Sequence, residues 1–172
     1  MRKKLILCLV AACGLMFAGC KHNPAEDYEG TYRVKITPSL ALNTPPPLLT
    51  TILNQEIINA ATASVADSTY SCTVVLDGDD GDVKVIMLGN AYKGHVDDNG
   101  LQLDPMKYTI DYGMAQIVLT FTHSKIARAP DNADIAVLDW SASTSGDITI
   151  ARQTLSKCLI GTTQFLATKT KG

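Results

Sequence analysis

From residue 28 onward, apolar and polar side chains alternate in short runs typical of β-strands with one wet face. Thr31 to Thr37 alternates strictly: Tyr32, Val34 and Ile36 share one face, and charged or hydroxyl side chains occupy the other, as expected for a strand that covers a core on one side. Similar runs predict strands at Ser71–Leu76, Val83–Leu88, Met106–Tyr112 and Gln116–Thr122, with weaker patterns near Leu101 and at Ile135–Trp140, Ile148–Ala151 and Gln164–Thr168.

Short polar segments separate these predicted strands. Asp77–Asp82, Asp97–Gly100 and Ser143–Gly146 each contain glycine, which supplies the positive φ that hairpin turns require. A parallel crossover needs a dozen or more residues, so connections this short favour antiparallel neighbours.

One segment follows a helical period instead. Between Leu48 and Ala66, apolar side chains recur three and four residues apart, and neither glycine nor proline interrupts them, which predicts an amphipathic helix. Pro45-Pro46-Pro47 comes directly before it, so we expect the helix to begin near Pro47 or Leu48. The predicted fold is mainly β (α+β): an antiparallel curved sheet or β-barrel with one amphipathic helix inserted after the first strand. Periodicity does not distinguish a hollow barrel from a filled one.

The N-terminal twenty residues have a different character. Met1–Lys4 is positively charged, and Leu5–Phe17 is an apolar run of thirteen residues, which suits a secretory signal and is short for a membrane span. Phe17-Ala18-Gly19-Cys20 resembles the signal of bacterial lipoproteins, in which two small residues precede a cysteine whose thiol accepts diacylglycerol. The resemblance implies lipidation of Cys20. The alternative is an ordinary secreted protein in which this cysteine is incidental.

These features divide the chain into a signal peptide (1–19), a lipidated tether (20–27) and a single β domain (28–172). The 153 residues from Cys20 onward fit one domain. Several acyl chains on Cys20 would attach the protein stably to a membrane. Lys21 stands where enteric lipoproteins carry the aspartate that retains them at the inner membrane, so we expect the outer membrane. The sequence leaves open whether the protein faces the periplasm or the outside.

The net charge of the chain without its predicted signal peptide indicates which binding partners to expect. Removal of residues 1–19 leaves 12 basic and 17 acidic side chains, a formal net charge of −5. Nucleic acids bind positively charged surfaces, so we do not expect a nucleic-acid partner.

Two cysteines remain besides Cys20 once the signal is removed, Cys72 and Cys158. An oxidising compartment permits a disulfide between them. Two buried free thiols are the alternative, because Cys72 alternates with Val74 and Leu76 as a core residue does. No C-x-x-C or histidine pair accompanies them, so we expect no zinc site.

No group of residues requires catalysis. The chain contains no G-x-S-x-G, H-E-x-x-H, P-loop or dinucleotide motif. His95 and His123 are expected at the surface or rim of the domain. The acidic segment Asp77–Asp82 has oxygen ligands suited to Ca²⁺ but lacks the glutamate that closes such a loop, so a solvated turn is the preferred interpretation. We therefore expect a non-enzyme with no cofactor and no metal.

The start of the first predicted strand carries a second resemblance. Tyr28-Glu29-Gly30-Thr31-Tyr32 resembles the G-x-W start of the calycins, which include lipocalins and fatty-acid-binding proteins, although Tyr32 replaces the tryptophan. The order of strand, helix and antiparallel strands is similar to that of fatty-acid-binding proteins, but their C-terminal arginine-x-tyrosine pair is absent. The whole chain resembles Bacteroidetes lipoproteins with a calycin-like or lipocalin-like domain, which implies a calycin-like β-barrel.

Two functions remain open from the sequence. Tyr108, Ile110 and Tyr112 share a face and would contact an apolar ligand if that face lines a pocket. Arg152 follows two isoleucines on one side of its predicted strand, and pointing inward it would need an anionic partner. With Cys20 as the anchor, the leading hypothesis is a lipid-anchored binding module for a small hydrophobic ligand or envelope lipid. The alternative is a structural or protein-interaction lipoprotein with a filled core, and an apolar cavity of ~300 Å³ or more distinguishes the two.

Overall fold

The computed structural model describes residues 23–43, 55–66, 69–78, 80–127 and 137–170. These residues form ten antiparallel strands and one α-helix, and the strands make a single, strongly curled sheet shaped like half a barrel. The predicted mainly β fold, with a helix after the first strand, is confirmed. The predicted signal peptide, Cys20 and the first part of the predicted helix lie outside the described residues.

The strands are β1 (Gly30–Leu42), β2 (Thr69–Leu76), β3 (Asp82–Met87), β4 (Asn90–Asp97), β5 (Gly100–Leu103), β6 (Met106–Tyr112), β7 (Ala115–His123), β8 (Ile126–Ala127), β9 (Val137–Ile150) and β10 (Gln153–Lys169). The helix α1 is Gln55–Ala66, and a short 3-10 helix, Pro24–Tyr28, precedes β1. Neighbouring strands follow the order β6-β7-β9-β10-β1-β2-β3-β4-β5-β8. Ala25 and Tyr28 of the 3-10 helix are buried, so the folded part begins within the predicted tether.

The sheet has an apolar inner face and a polar outer face. Along β1, Tyr32, Val34 and Ile36 are fully buried, whereas Arg33 and Lys35 between them are exposed. Helix α1 packs against β1 through the buried side chains Ile57, Ile58, Ala61 and Val65. Within the described part of the chain, no helix combines the length and apolar character needed to cross a membrane.

The turn predicted at Ser143–Gly146 is wrong, because these residues lie inside β9. A Cβ atom added to Gly146 would lie 2.9 Å from Leu159 Cβ and 3.0 Å from Leu119 Cδ2. Glycine inside a strand often marks such a close approach between neighbours. Glycine is therefore present here to make room for side chains of β7 and β10, and the chain reverses instead at Ala151-Arg152, with φ values of 49° and 70°.

The other two predicted turns are confirmed. Asp77–Asp82 joins β2 to β3, and the Asp77 N–H donates to the Asp82 carbonyl at 2.9 Å; Asp79 lies outside the described residues. Asp98 and Asn99 form the turn between β4 and β5. Strand β4 and the turn that leads into it were not predicted, because the strand's inner face includes Gly94, which interrupts the apolar alternation.

Candidate functional site

The described residues pack a mainly apolar interior inside the curled sheet. It contains a cavity of about 10 Å³ lined by side chains from both halves of the sheet, among them Tyr32, Met87, Leu101 and Trp140. A volume of this size corresponds to roughly one water-sized sphere. Small-molecule sites usually measure ~300 Å³ or more, so this cavity is far below the size that a lipid requires.

The side chains on the predicted ligand-contacting face of β6 differ in how deeply they are buried. Ile110 is buried with 8% exposure, Tyr108 is half-buried and Tyr112 is 45% exposed. The Tyr108 ring lies edge-to-face against Tyr70, with ring centroids 6.4 Å apart. The three side chains share a face as predicted, but none of them lines the interior cavity.

Arg152 does not point into the core, and this expectation is wrong. Strand β9 ends at Ile150, and Arg152 is the second residue of the exposed turn between β9 and β10. Its positive φ belongs to the turn, so the alternation that predicted an inward side chain stops two residues earlier.

Of the two alternatives for the remaining cysteines, the structure has the second, because Cys72 and Cys158 are both buried and free. Cys72 lies opposite Tyr32 on β1, whereas Leu159, next to Cys158, lies opposite Leu42. The two sites are thus separated along β1 by about 33 Å of extended chain, and a disulfide needs Cα atoms within about 7 Å. Burial raises the pKa of the Cys72 thiol to about 12, which makes it unreactive at neutral pH.

The main polar feature of the inner face is an aromatic cluster around His123. The Trp140 Nε1–H donates to His123 Nδ1 at 2.9 Å, inside the core. Phe165 stacks on Trp140 with ring centroids 5.0 Å apart and meets His123 edge-on at 5.2 Å. These contacts join β7, β9 and β10 through one block of rings.

This environment keeps His123 neutral. Its Nδ1 accepts the tryptophan hydrogen bond, so the proton of the neutral ring is on Nε2. Nε2 is buried and has no hydrogen-bond partner within the described residues. Burial lowers the pKa of His123 from 6.5 to about 4. The neutral ring packs against its neighbours and accepts a hydrogen bond, and no carboxylate of the described residues is bonded to it.

A second histidine lies in a cleft on the outer face. His95 Nδ1 and Asp82 Oδ1 are 2.7 Å apart, and more than half of each side chain is exposed. The surrounding cleft, here called the His95 cleft, has a volume of about 270 Å³ and is lined by Asp77, Asp82, Val83, Lys93, Gly94, His95, Gln102 and Asp104. The described residues that line the cleft thus include a histidine-carboxylate pair but no serine, threonine or cysteine. No group of three or more metal-ligating side chains occurs among the described residues.

A larger groove crosses the outer face where β1 begins. This Arg33 groove has a volume of about 390 Å³ and is lined by Thr31, Tyr32, Arg33, Thr69, Tyr70, Ser71 and Thr170. Arg33 lies opposite Ser71 on β2 and opposite Thr168 on β10. The Thr170 N–H and hydroxyl both donate to the Thr31 carbonyl, at 2.8 and 2.9 Å. These bonds fix the end of β10 beside the groove.

The expected place of His123 at the surface or rim is wrong, since the side chain is 5% exposed. The sequence also did not identify the cluster around it or the Arg33 groove. His123 and Trp140 are 17 residues apart, and only the register of β7 against β9 brings them together. For the groove, the available signal was the polar face of β1 with its one arginine opposite a hydroxyl-rich β2. Comparison of the chain with protein-family models, curated proteins and solved structures finds no match.

Proposed function

We propose that this protein is a non-enzymatic lipoprotein of the bacterial cell envelope, held at the outer membrane by acyl chains on Cys20, that acts through its outer surface. The membrane attachment rests on the signal-like residues 1–19 and the small residues before Cys20. The choice of surface over interior rests on one observation, the interior cavity of about 10 Å³. That volume gives more support to an interaction lipoprotein with a filled core than to a module that encloses a hydrophobic ligand.

Lipid attachment is tested by labelling. We expect the full chain expressed in a bacterial host to incorporate labelled palmitate and to fractionate with the outer membrane, and the Cys20→Ala variant to incorporate none. A second variant, Cys72→Ala, is the matched control, since its cysteine is buried in the fold. Equal labelling of wild type and Cys20→Ala would overturn the anchor.

The filled core is tested separately by native mass spectrometry of the protein extracted from its own envelope. We expect the mass of the acylated chain without a further non-covalent adduct. A retained lipid-sized adduct, lost on denaturation, would overturn the proposal and favour the hydrophobic-ligand alternative. The small interior cavity would then have to expand to admit the ligand.

A further inference from the structure

The Arg33 groove differs from the His95 cleft in the charge of its walls. Three aspartates and one lysine line the His95 cleft. In contrast, among the described residues that line the Arg33 groove, Arg33 is the only charged one and none is a carboxylate. Two cavities on one outer face therefore favour ligands of opposite charge.

Four side chains of the groove keep donor groups available within the described residues. No hydrogen bond or ion pair there uses the Arg33 guanidinium or the hydroxyls of Thr31, Thr69 and Ser71. Arg33 and Ser71 are directly opposite on neighbouring strands, which places their Cβ atoms about 5 Å apart. The register of the sheet thus places the base of the Arg33 side chain beside the Ser71 hydroxyl.

This donor set has a definite chemical preference. Guanidinium presents several N–H donors in a planar fork that matches phosphate oxygens in pairs. The hydroxyls add donors at the sides, and the groove volume of about 390 Å³ is in the range of small-molecule sites. We propose that the Arg33 groove binds a phosphate group, alone or esterified to a small alcohol.

The position of the groove suggests the source of that phosphate. Arg33 is the fourth residue of β1, and the 3-10 helix before β1 leads back to Asn23. Asn23 is the third residue after Cys20, so the chain between them spans at most about 11 Å. If Cys20 is lipidated, as the proposed function requires, the groove lies within reach of phospholipid headgroups.

The test is a titration of the full lipidated chain in neutral detergent with sodium phosphate and with glycerol 3-phosphate, at constant ionic strength. Backbone amide NMR shifts of Thr31, Arg33 and Ser71 report binding. We expect saturable shifts, and at least about tenfold weaker binding in Arg33→Gln, because a charge-assisted hydrogen bond is lost. Lys35→Gln is the matched control, since Lys35 is exposed on the same face of β1 but does not line the groove.

The possible results test the phosphate site, the source of the phosphate and the lipid anchor separately. Equal weakening in the two charge variants, or shifts that do not saturate, would overturn the site. Binding of glycerol 3-phosphate at least about tenfold tighter than inorganic phosphate assigns the site to a headgroup, and equal binding assigns it to free phosphate. A Ser71→Ala variant, which keeps the charge, is expected to bind both probes more weakly. Failure of palmitate labelling would overturn the anchor and leave the phosphate titration unaffected.

Discussion

His123 and His95 lie on opposite faces of one sheet, and their surroundings differ in every respect that matters for an imidazole. His123 is 5% exposed, accepts a hydrogen bond from Trp140 and packs against Phe165. His95 is mostly exposed, and its partner is the carboxylate of Asp82 across the β3-β4 pair. Because successive side chains of a strand point to opposite faces, the register of each strand decides which histidine becomes part of the core.

The largest expected effect comes from neighbouring residues on opposite faces of β10. Phe165 is fully buried in the ring cluster, whereas Leu166 is 44% exposed. We expect Phe165→Ala to lower the free energy of unfolding by about 3 to 5 kcal/mol, because it leaves a cavity among packed rings. Leu166→Ala should cost less than about 1 kcal/mol. Chemical denaturation of both variants measures this difference, and equal losses would contradict the assignment of inner and outer faces.

The second prediction concerns pH. His123 has an ordinary pKa near 6.5 when unfolded and about 4 when folded, so below pH 6.5 the unfolded chain takes up a proton that the folded chain does not. The contribution of neutral His123 to the free energy of unfolding is therefore complete above pH 6.5. It is lost as the pH falls to 4, which lowers the free energy of unfolding by about 3 kcal/mol. Denaturation curves between pH 4 and 7.5 measure it.

Two variants distinguish the contributions of His123 and His95 to the pH dependence of stability in that experiment. His123→Asn should remove this part of the pH dependence. His95→Gln should retain it and change stability at pH 7 by less than about 1 kcal/mol, because exposed ion pairs contribute little. An unchanged pH dependence in His123→Asn would assign the loss of stability to other groups.

A smaller effect is expected at Gly146 on the inner face of β9. A Cβ atom there would lie within 3.0 Å of side-chain atoms of Leu119 and Leu159, so Gly146→Ala should cost about 1 to 3 kcal/mol through overpacking. Ser145, its half-buried neighbour of opposite orientation, provides the control Ser145→Ala. Thermal denaturation measures both, and a neutral Gly146→Ala would mean that the glycine has no packing role.

The smallest effect is expected at the exposed turn, where backbone geometry matters more than contacts. Ala151 and Arg152 adopt positive φ values of 49° and 70°, which Asn and Gly adopt at lower cost. The double variant Ala151→Asn, Arg152→Gly should raise the free energy of unfolding by about 1 kcal/mol. A decrease on chemical denaturation would show that these side chains make contacts that stabilise the turn.

Much of the fold was predictable because alternation along a strand records its two faces. Tyr32, Val34 and Ile36 were predicted on one face of β1 and are fully buried. The order of strands across the sheet was not predictable, because β7 pairs with β9 and β5 with β8, and no local pattern reports such a neighbour.

The errors arose where one residue type serves two physical purposes. Glycine gives positive φ at Gly81 and Gly89, but at Gly146 its small size is what the packing requires. Cys72 and Cys158 are the two cysteines left for a disulfide, but a disulfide also requires that they lie close together. The strand register, which the sequence does not show, places them far apart. Of the predicted site residues, Tyr108, Ile110 and Tyr112 were correctly placed on one face, while Arg152 was misplaced because the end of β9 was not recognised.

The position of β1 between β2 and β10 has a consequence for how the chain acquires its structure. Among the described strands, β1 is made first and completes its pairing only when β10, the last of them, has been made. Tyr32, for example, lies opposite Lys169, 137 residues later. Hairpins such as β3-β4 can form early, but the centre of the sheet cannot. Contacts between such distant parts of a chain slow folding. The centre of the sheet should therefore form only after β10 has left the ribosome, while the hairpins on either side can form earlier.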